Sequence, residues 1–301
     1  MKKQHTVSLF SANPMGAAVA LALGLYGSSA SAVVVTTVAN TSSTASVMAN
    51  ALLGENSGIN IVAGSATIEG TNTTSIKQYG TYSDFNLKSS VAANPTLTMA
   101  NGVVLTSGAA VVPRTNTSTG LTTVTNSGAN AQLTKLAGRT TYDANTLGFN
   151  FTVAEGVKSV TAKFVFATEE FPDQTVTDIF GFFIDGVNYA TFADGKLISN
   201  AVGSSNFISN VSGNYGIEYD GLTNVLTMTG LLNSLLSTHT LMFGVADTSD
   251  TRYDSAVFMN SLMAGQAVTG GISDVPEPGT TFLFGIALAA AGVLRRKNTG
   301  K

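Results

Sequence analysis

Two uncharged apolar runs, one near each end, decide how much of this 301-residue chain is free to fold as a domain. At the start, Lys2 and Lys3 precede the apolar stretch Met15 to Tyr26, and Ala30-Ser31-Ala32 follows it. A positive start, a short apolar core and small residues at a cut describe a secretory signal peptide. Residues 1–32 are therefore expected to be removed by signal peptidase at Ala30 and Ala32, leaving Val33 as the mature N-terminus. At the other end, Val275-Pro276-Glu277-Pro278-Gly279 interrupts any regular element. Thr280 to Leu294 is then apolar and stops at Arg295-Arg296-Lys297. An uncharged run ending in cations predicts a hydrophobic helix that enters the membrane and halts at its positive side. At ~1.5 Å per residue it reaches only ~20–22 Å, short of the ~30 Å hydrocarbon core. That length suits a temporary handle better than a lasting anchor.

Pro276-Glu277-Pro278, the apolar stretch and the basic end resemble, in order, the PEP-CTERM sorting signal. Gram-negative bacteria with an exosortase use this signal to process proteins bound for the cell surface. The resemblance implies export, transient inner-membrane attachment through 280–294, and processing of the segment 275–301. The destination it implies is the cell envelope, the surface or the extracellular matrix.

Between these ends lie residues 33–274, enough for one large domain. Gly, Ser, Thr, Asn and Val dominate, and β-branched residues with Gly-rich turns predict many short strands. The chain has no cysteine, so an exported domain must be held by its core or by bound ions rather than by disulfides. Charge is uneven. Val33 to Lys163 carries 5 acidic and 7 basic residues, whereas Phe164 to Asn260 carries 11 acidic and 2 basic ones. This balance excludes nucleic acid as a partner, because phosphate binding needs clustered Lys and Arg. The acidic half suggests cation sites or a solvated acidic face.

Periodicity predicts one early helix over Thr44 to Leu53, capped by Ser42, Ser43 or Thr44 and ended by Gly54. Strands are expected at Ile59 to Ile68, Leu147 to Val153, Val160 to Ala167, Asp178 to Ile184, Leu241 to Ala246 and Ala256 to Met259. Asp185-Gly186 and Asp220-Gly221 read as hairpin turns. Arg114 to Asn130 is polar with few apolar anchors and reads as a long mobile loop. The fold class is all-β: an antiparallel β-sandwich with one short N-terminal helix, followed by the C-terminal hydrophobic helix.

Three stretches carry a second resemblance: Phe164-Val-Phe-Ala-Thr-Glu-Glu-Phe171, Asp178-Ile-Phe-Gly-Phe-Phe183 and Ala246-Asp-Thr-Ser-Asp-Thr-Arg-Tyr-Asp-Ser-Ala-Val-Phe258. Together they resemble the choice-of-anchor L domain, whose usual pattern has Ser where this chain has Thr168 and Tyr where it has Phe171. Leu52-Leu53-Gly54 and the stretch from Asn101-Gly102-Val103 to Ser107-Gly108 also fit. The family is exported and carries interchangeable C-terminal anchoring signals. The resemblance brings no catalytic activity with it.

The catalytic inventory is thin. His239 is the one histidine of the mature domain, so a His-ligated zinc set is excluded. There is no Gly-x-Ser-x-Gly, no phosphate-cradling loop and no Cys nucleophile. On an extended strand Glu169 and Glu170 point to opposite faces and do not form an acid/base pair. Two readings of the carboxylates are open. Glu169, Glu170, Asp173, Asp178, Asp247, Asp250 and Asp254 supply the hard oxygens that calcium takes, 6 to 8 at a time. The same groups can instead cap turns and accept from backbone amides. The function expected is therefore non-enzymatic, on the surface or in the matrix, with export machinery, exosortase and exopolysaccharide or matrix glycans as partners. A calcium-dependent carbohydrate-binding or adhesive module is the second reading, and a glycan hydrolase is the third.

Overall fold

The computed structural model describes residues 33–118, 120–172, 177–199 and 206–274. The signal-peptide reading with Ala30 and Ala32, and the hydrophobic helix and sorting tail with Pro276, Glu277 and Pro278, lie outside the described residues. So does Asp173. Among the described residues no helix is long and apolar enough to cross a membrane.

The chain opens with β1 (Val34–Thr37), α1 (Thr44–Leu52), β2 (Ile59–Ile61), β3 (Thr67–Glu69) and β4 (Tyr79–Ser83). It continues through β5 (Asn86–Leu87), β6 (Leu97–Thr98), β7 (Gly102–Thr106) and α2 (Ala131–Ala137). Two long strands follow, β8 (Thr141–Val153) and β9 (Ser159–Thr168), then β10 (Ile179–Ile184) and β11 (Val187–Asn188). The last third holds β12 (Phe207–Ser209), β13 (Gly221–Thr223), β14 (Leu226–Leu231), β15 (His239–Thr248), β16 (Ser255–Gly265) and β17 (Gly271–Asp274).

These strands form the expected antiparallel sandwich. One sheet runs β1-β4-β7-β16-β9-β13-β12, with β14 beside β9 and β17 beside β14; the other runs β11-β10-β15-β8-β2, with β3 beside β8. Alternation supplies the seam between them. Val160, Ala162, Phe164 and Phe166 of β9 and Val257 and Met259 of β16 face Phe149 and Phe151 of β8, Phe180 and Phe182 of β10, and Phe243 of β15. Phe182 and Phe243 stack at 4.9 Å with 9° between ring planes. α1 adds Met48, Ala49 and Leu52 to this core.

Each sheet has part of its outer face covered, while Asn150 and Thr240 on one and Lys163 on the other remain exposed. The outward residues Val104, Val165, Ala167 and Phe258 are covered by Phe85, Leu87, Leu97 and Met99 around the β5–β6 hairpin, and by Tyr215, Ile217 and Tyr219. Outside the other sheet, Leu133 of α2 packs with Ala144, Ile179, Phe183 and Ala246. Gly181 and Gly244 stand opposite one another in the β10–β15 ladder. A Cβ on either would come within 3.1 Å of the Leu133 methyls, so this glycine pair is the seat for α2.

Four expectations need correction here. Ile59 to Ile68 is not one strand: a turn closed by the Ser65 amide on the Val62 carbonyl separates β2 from β3, and each pairs with β8 by itself. A second helix, α2, stands where none was expected. Asn130 accepts from the Gln132 and Leu133 amides at its start, and Gly138 closes it in the left-handed conformation. α1 does not end on Gly54; Leu53 is extended and bridges Leu262, so tertiary pairing stops the helix. Asp220-Gly221 is not a hairpin turn, because β13 and β14 both lie along β9 with a one-residue slip between them. Asp185-Gly186 is the turn expected, with both residues at positive φ.

Candidate functional site

Register gathers the acidic residues at one end of the sandwich. β9 ends at Thr168 opposite Ser255, where β16 begins. β10 begins at Ile179 opposite Ala246, and Asp247 lies opposite Tyr142 at the start of β8. The residues just past these ends are Glu169, Glu170, Asp178 and Asp254, and Asp143 is the third residue of β8. With Glu218 and Asp220, which precede β13, they and Asp247 make eight carboxylates, all at most 7 % exposed. No lysine or arginine is among the buried residues described. The ion pair of Lys196 with Asp194 and the contact of His239 with Asp185 lie elsewhere. Keeping a carboxylate ionised at such burial costs on the order of several kcal/mol, so protons, hydrogen-bond donors or cations must offset it.

Five of them take donors, all from one segment. Asn116 donates its side-chain amide to Asp220 at 2.6 Å. The Thr117 and Ser118 amides donate to Glu218 at 3.1 and 2.6 Å. The Leu121 amide reaches Glu169 Oε2 at 3.1 Å, and the Thr123 amide reaches Asp254 Oδ1 at 3.0 Å. Thr125 and Asn126 donate to the two oxygens of Asp143 at 3.0 and 2.7 Å. The stretch expected to be a mobile loop is thus an extended strap, pinned by carboxylates instead of by a strand partner. Tyr253 and Asp254 close the arrangement from the other side, donating to Thr122 Oγ1 and the Leu121 carbonyl.

The remaining oxygens are treated differently. Both oxygens of Asp178, both of Asp247, Oδ2 of Asp254 and Oε1 of Glu169 are buried without a hydrogen-bond partner. Asp178 and Asp247 lie within hydrogen-bonding reach of each other, and Asp247 is the strongest like charge acting on Asp178. Glu170 faces the same pair and accepts from the Asp178 amide. Its own amide is held by Thr168 Oγ1, which also bonds Ser255 Oγ, a job that serine in the family pattern would do equally well. Gly108 makes room for Asp254. A Cβ there would sit 1.7 Å from Oδ2.

Burial moves the carboxyl pKa values up, making these groups weaker acids. It raises Glu169 from 4.5 to about 8 against the opposing Leu121 amide, with Asp220, Glu218 and Asp254 adding to the rise. Burial likewise lifts Asp254 to about 7, opposed by Thr123. Burial pushes Glu170, Asp178 and Asp247 well above the carboxylate range. Asp247 and Glu170 add to the rise at Asp178, and Asp247 and Asp250 add to it at Glu170. Asp254 and Asp143 add to it at Asp247, where the Ser107 hydroxyl opposes it.

The sequence-derived ligand set is therefore split. Glu170, Asp178, Asp247 and Asp254 meet in one place, and Glu169 belongs mainly to the strap. Asp250 is exposed and accepts from the Arg252 amide in the β15–β16 turn. Among the described residues no three of these side chains converge as a ready-made metal cage. Sequence reasoning missed Asp143, Glu218 and Asp220; only the non-local register brings them in. His239 is buried at the start of β15, 2.8 Å from Asp185 beneath the hairpin turn, and has no part in the acidic end.

An antiparallel sandwich with partly covered faces and one buried acidic end defines a β-rich domain. The chain belongs to the choice-of-anchor L domain family, whose family model matches residues 35–262. A PEP-CTERM protein-sorting motif matches residues 274–297 and marks an exported protein recognised by exosortase, with an envelope or cell-surface destination. No curated protein matches the chain.

Proposed function

We propose that this chain is a non-enzymatic surface or extracellular-matrix protein, displayed as one sandwich after processing at both ends. The observation that carries the reading is the burial of the carboxylates gathered at the acidic end: Glu169 and Asp254 lie under the strap at 2 and 1 % exposure. Hydrolysis of a glycan needs two carboxylates about 5–9.5 Å apart across an open cleft. Among the described residues, cavities of about 80 Å³ around Val34 and Ile217 and of about 210 Å³ around Phe192 and Leu226 have no carboxylate in their linings.

The test has two arms. Replacing Pro276-Glu277-Pro278 by alanines should leave unprocessed chain in the inner membrane of an exosortase-bearing host; equal delivery of both forms to the surface would defeat the sorting part. The wild type should release no sugar from the host's exopolysaccharide. Turnover that disappears in Glu169→Gln would establish the hydrolase instead.

A second reading, a calcium-dependent carbohydrate-binding or adhesive module, is favoured by the unpartnered oxygens of Asp178 and Asp247. Its support is chemical: paired carboxylates without counter-cations are the groups calcium selects. Retention of the protein on matrix glycan that is lost in EDTA would support it, and EDTA-insensitive retention would not.

A further inference from the structure

We propose a single divalent-cation site at the acidic end, bridged by Asp178 and Asp247 and completed by Glu170 and Asp254, whose occupancy locks the strap. The proposal rests on the calcium reading above and assigns it a place and a consequence. Buried acidity alone would not carry it. The added observation is that Asp178 and Asp247, each 1 % exposed and within reach of each other, keep all four carboxylate oxygens without a formed hydrogen bond, the Ser255 and Ser107 hydroxyls lying near enough only to oppose the effect of burial. Such groups are stable only as shared-proton acids or as ligands of a cation.

Calcium is the fitting ion. It accepts carboxylates in one- or two-oxygen modes and tolerates irregular geometry, whereas magnesium demands near-octahedral order and keeps its waters. Since no three groups converge as they stand, binding draws Glu170 or Asp254 onto the Asp178–Asp247 pair. Asp254 links the ion to the strap. Its Oδ2 is unpartnered while its Oδ1 holds the Thr123 amide, and its own amide holds the Leu121 carbonyl. An ion on Oδ2 keeps Asp254 ionised, which strengthens the bond to Thr123.

The test uses the full chain in mild detergent with CaCl₂ and, as a luminescent stand-in, TbCl₃. The chain has eight tyrosines and no tryptophan, so tyrosine sensitises terbium. One ion per chain is expected. Saturation to about 100 times Kd should raise Tm by about 5–10 °C, and amide exchange over residues 120–126 should slow. Asp178→Asn and Asp247→Asn, which keep shape and remove charge, should each abolish the shift. Asp250→Asn should retain it. Calcium bound with undiminished affinity by both Asn variants would overturn this site while leaving the calcium reading intact. No ion retained by the wild type would overturn both. Should either Asn variant fail to fold, the wild-type exchange measurement decides: bound ion with unchanged exchange over 120–126 overturns the lock.

Discussion

Along β15, Phe243 and Asp247 are four residues apart, yet their side chains are stabilised in opposite ways. Phe243 is fully buried between the sheets and stacked on Phe182, with its surroundings apolar on every side. Asp247 is 1 % exposed with neither oxygen in a formed hydrogen bond, near the Ser107 hydroxyl and among Asp178, Glu170 and Asp254. Removing surface from water is favourable for the ring at any pH, whereas for the carboxylate it is favourable only once a proton or a cation has joined it. The seam is thus a stability reserve independent of solution conditions, and the acidic end is a part whose contribution solvent can set.

The largest effect should come from breaking the seam. Phe182→Ala removes a ring packed against Phe243 and should cost about 3–5 kcal/mol. Urea unfolding should show the same loss at pH 5 and pH 8, with calcium and without. A loss that varied with calcium would dissolve the distinction between the two regions.

Next comes an intrusion into the acidic end. Gly108→Ala would place a methyl 1.7 Å from Asp254 Oδ2. The carboxylate must move off Thr123, and an overpacking cost of about 1–3 kcal/mol is expected. Proteolysis should then cut within residues 120–126, which the wild type resists. An unchanged cleavage pattern would show that Asp254 does not hold the strap.

The pH response sharpens the comparison further. In the folded protein burial raises Glu169 to about 8 and Asp254 to about 7, above their unfolded values of about 4. A raised folded value means that the native state binds the proton more tightly than the unfolded chain. Its stabilisation is complete below about pH 4 and is lost as pH rises through 7 to 8. In EDTA, Tm should therefore fall between about pH 5 and pH 8. Calcium should flatten that fall, since the ion replaces the departing protons. A Tm that instead rose with pH in EDTA would contradict the placement of these groups.

The contrast also explains what could be read from the chain. The seam was legible because alternation is local: Ala162, Phe164 and Phe166 share a face by strand geometry alone. Asp185-Gly186 was legible for the same reason. α2 left a readable signal, Asn130 before it and Gly138 after it, but seven residues gave too little periodicity to outweigh the polar stretch before them. The strap left none. A polar segment is mobile or pinned according to what lies beneath it, and Glu218 and Asp143 reach Thr117 and Thr125 through pairings far apart in sequence. Asp220 was hidden because Asp-Gly has a local explanation that the β9 pairing displaces.

The smallest effect belongs to Asp250, and its smallness is informative. By spacing, Asp247 and Asp250 are equal candidates for one ion in the same turn. By structure they are separated: Asp247 points inward at the end of β15, while Asp250 is exposed and bonds the Arg252 amide at 3.0 Å. Surface substitutions outside special features change stability within about 0.5 kcal/mol. Asp250→Ala should stay in that range and leave the pH dependence of Tm as it is in the wild type. Asp247→Asn should raise stability in EDTA at pH 8 by at least about 1 kcal/mol, because it removes a charge that burial and Asp254 disfavour. If both variants moved the melting curve alike, the acidic end would be a collective field with no preferred pair. If only Asp247 moves it, the turn has divided its carboxylates between a solvated cap and an interior that needs a proton or an ion.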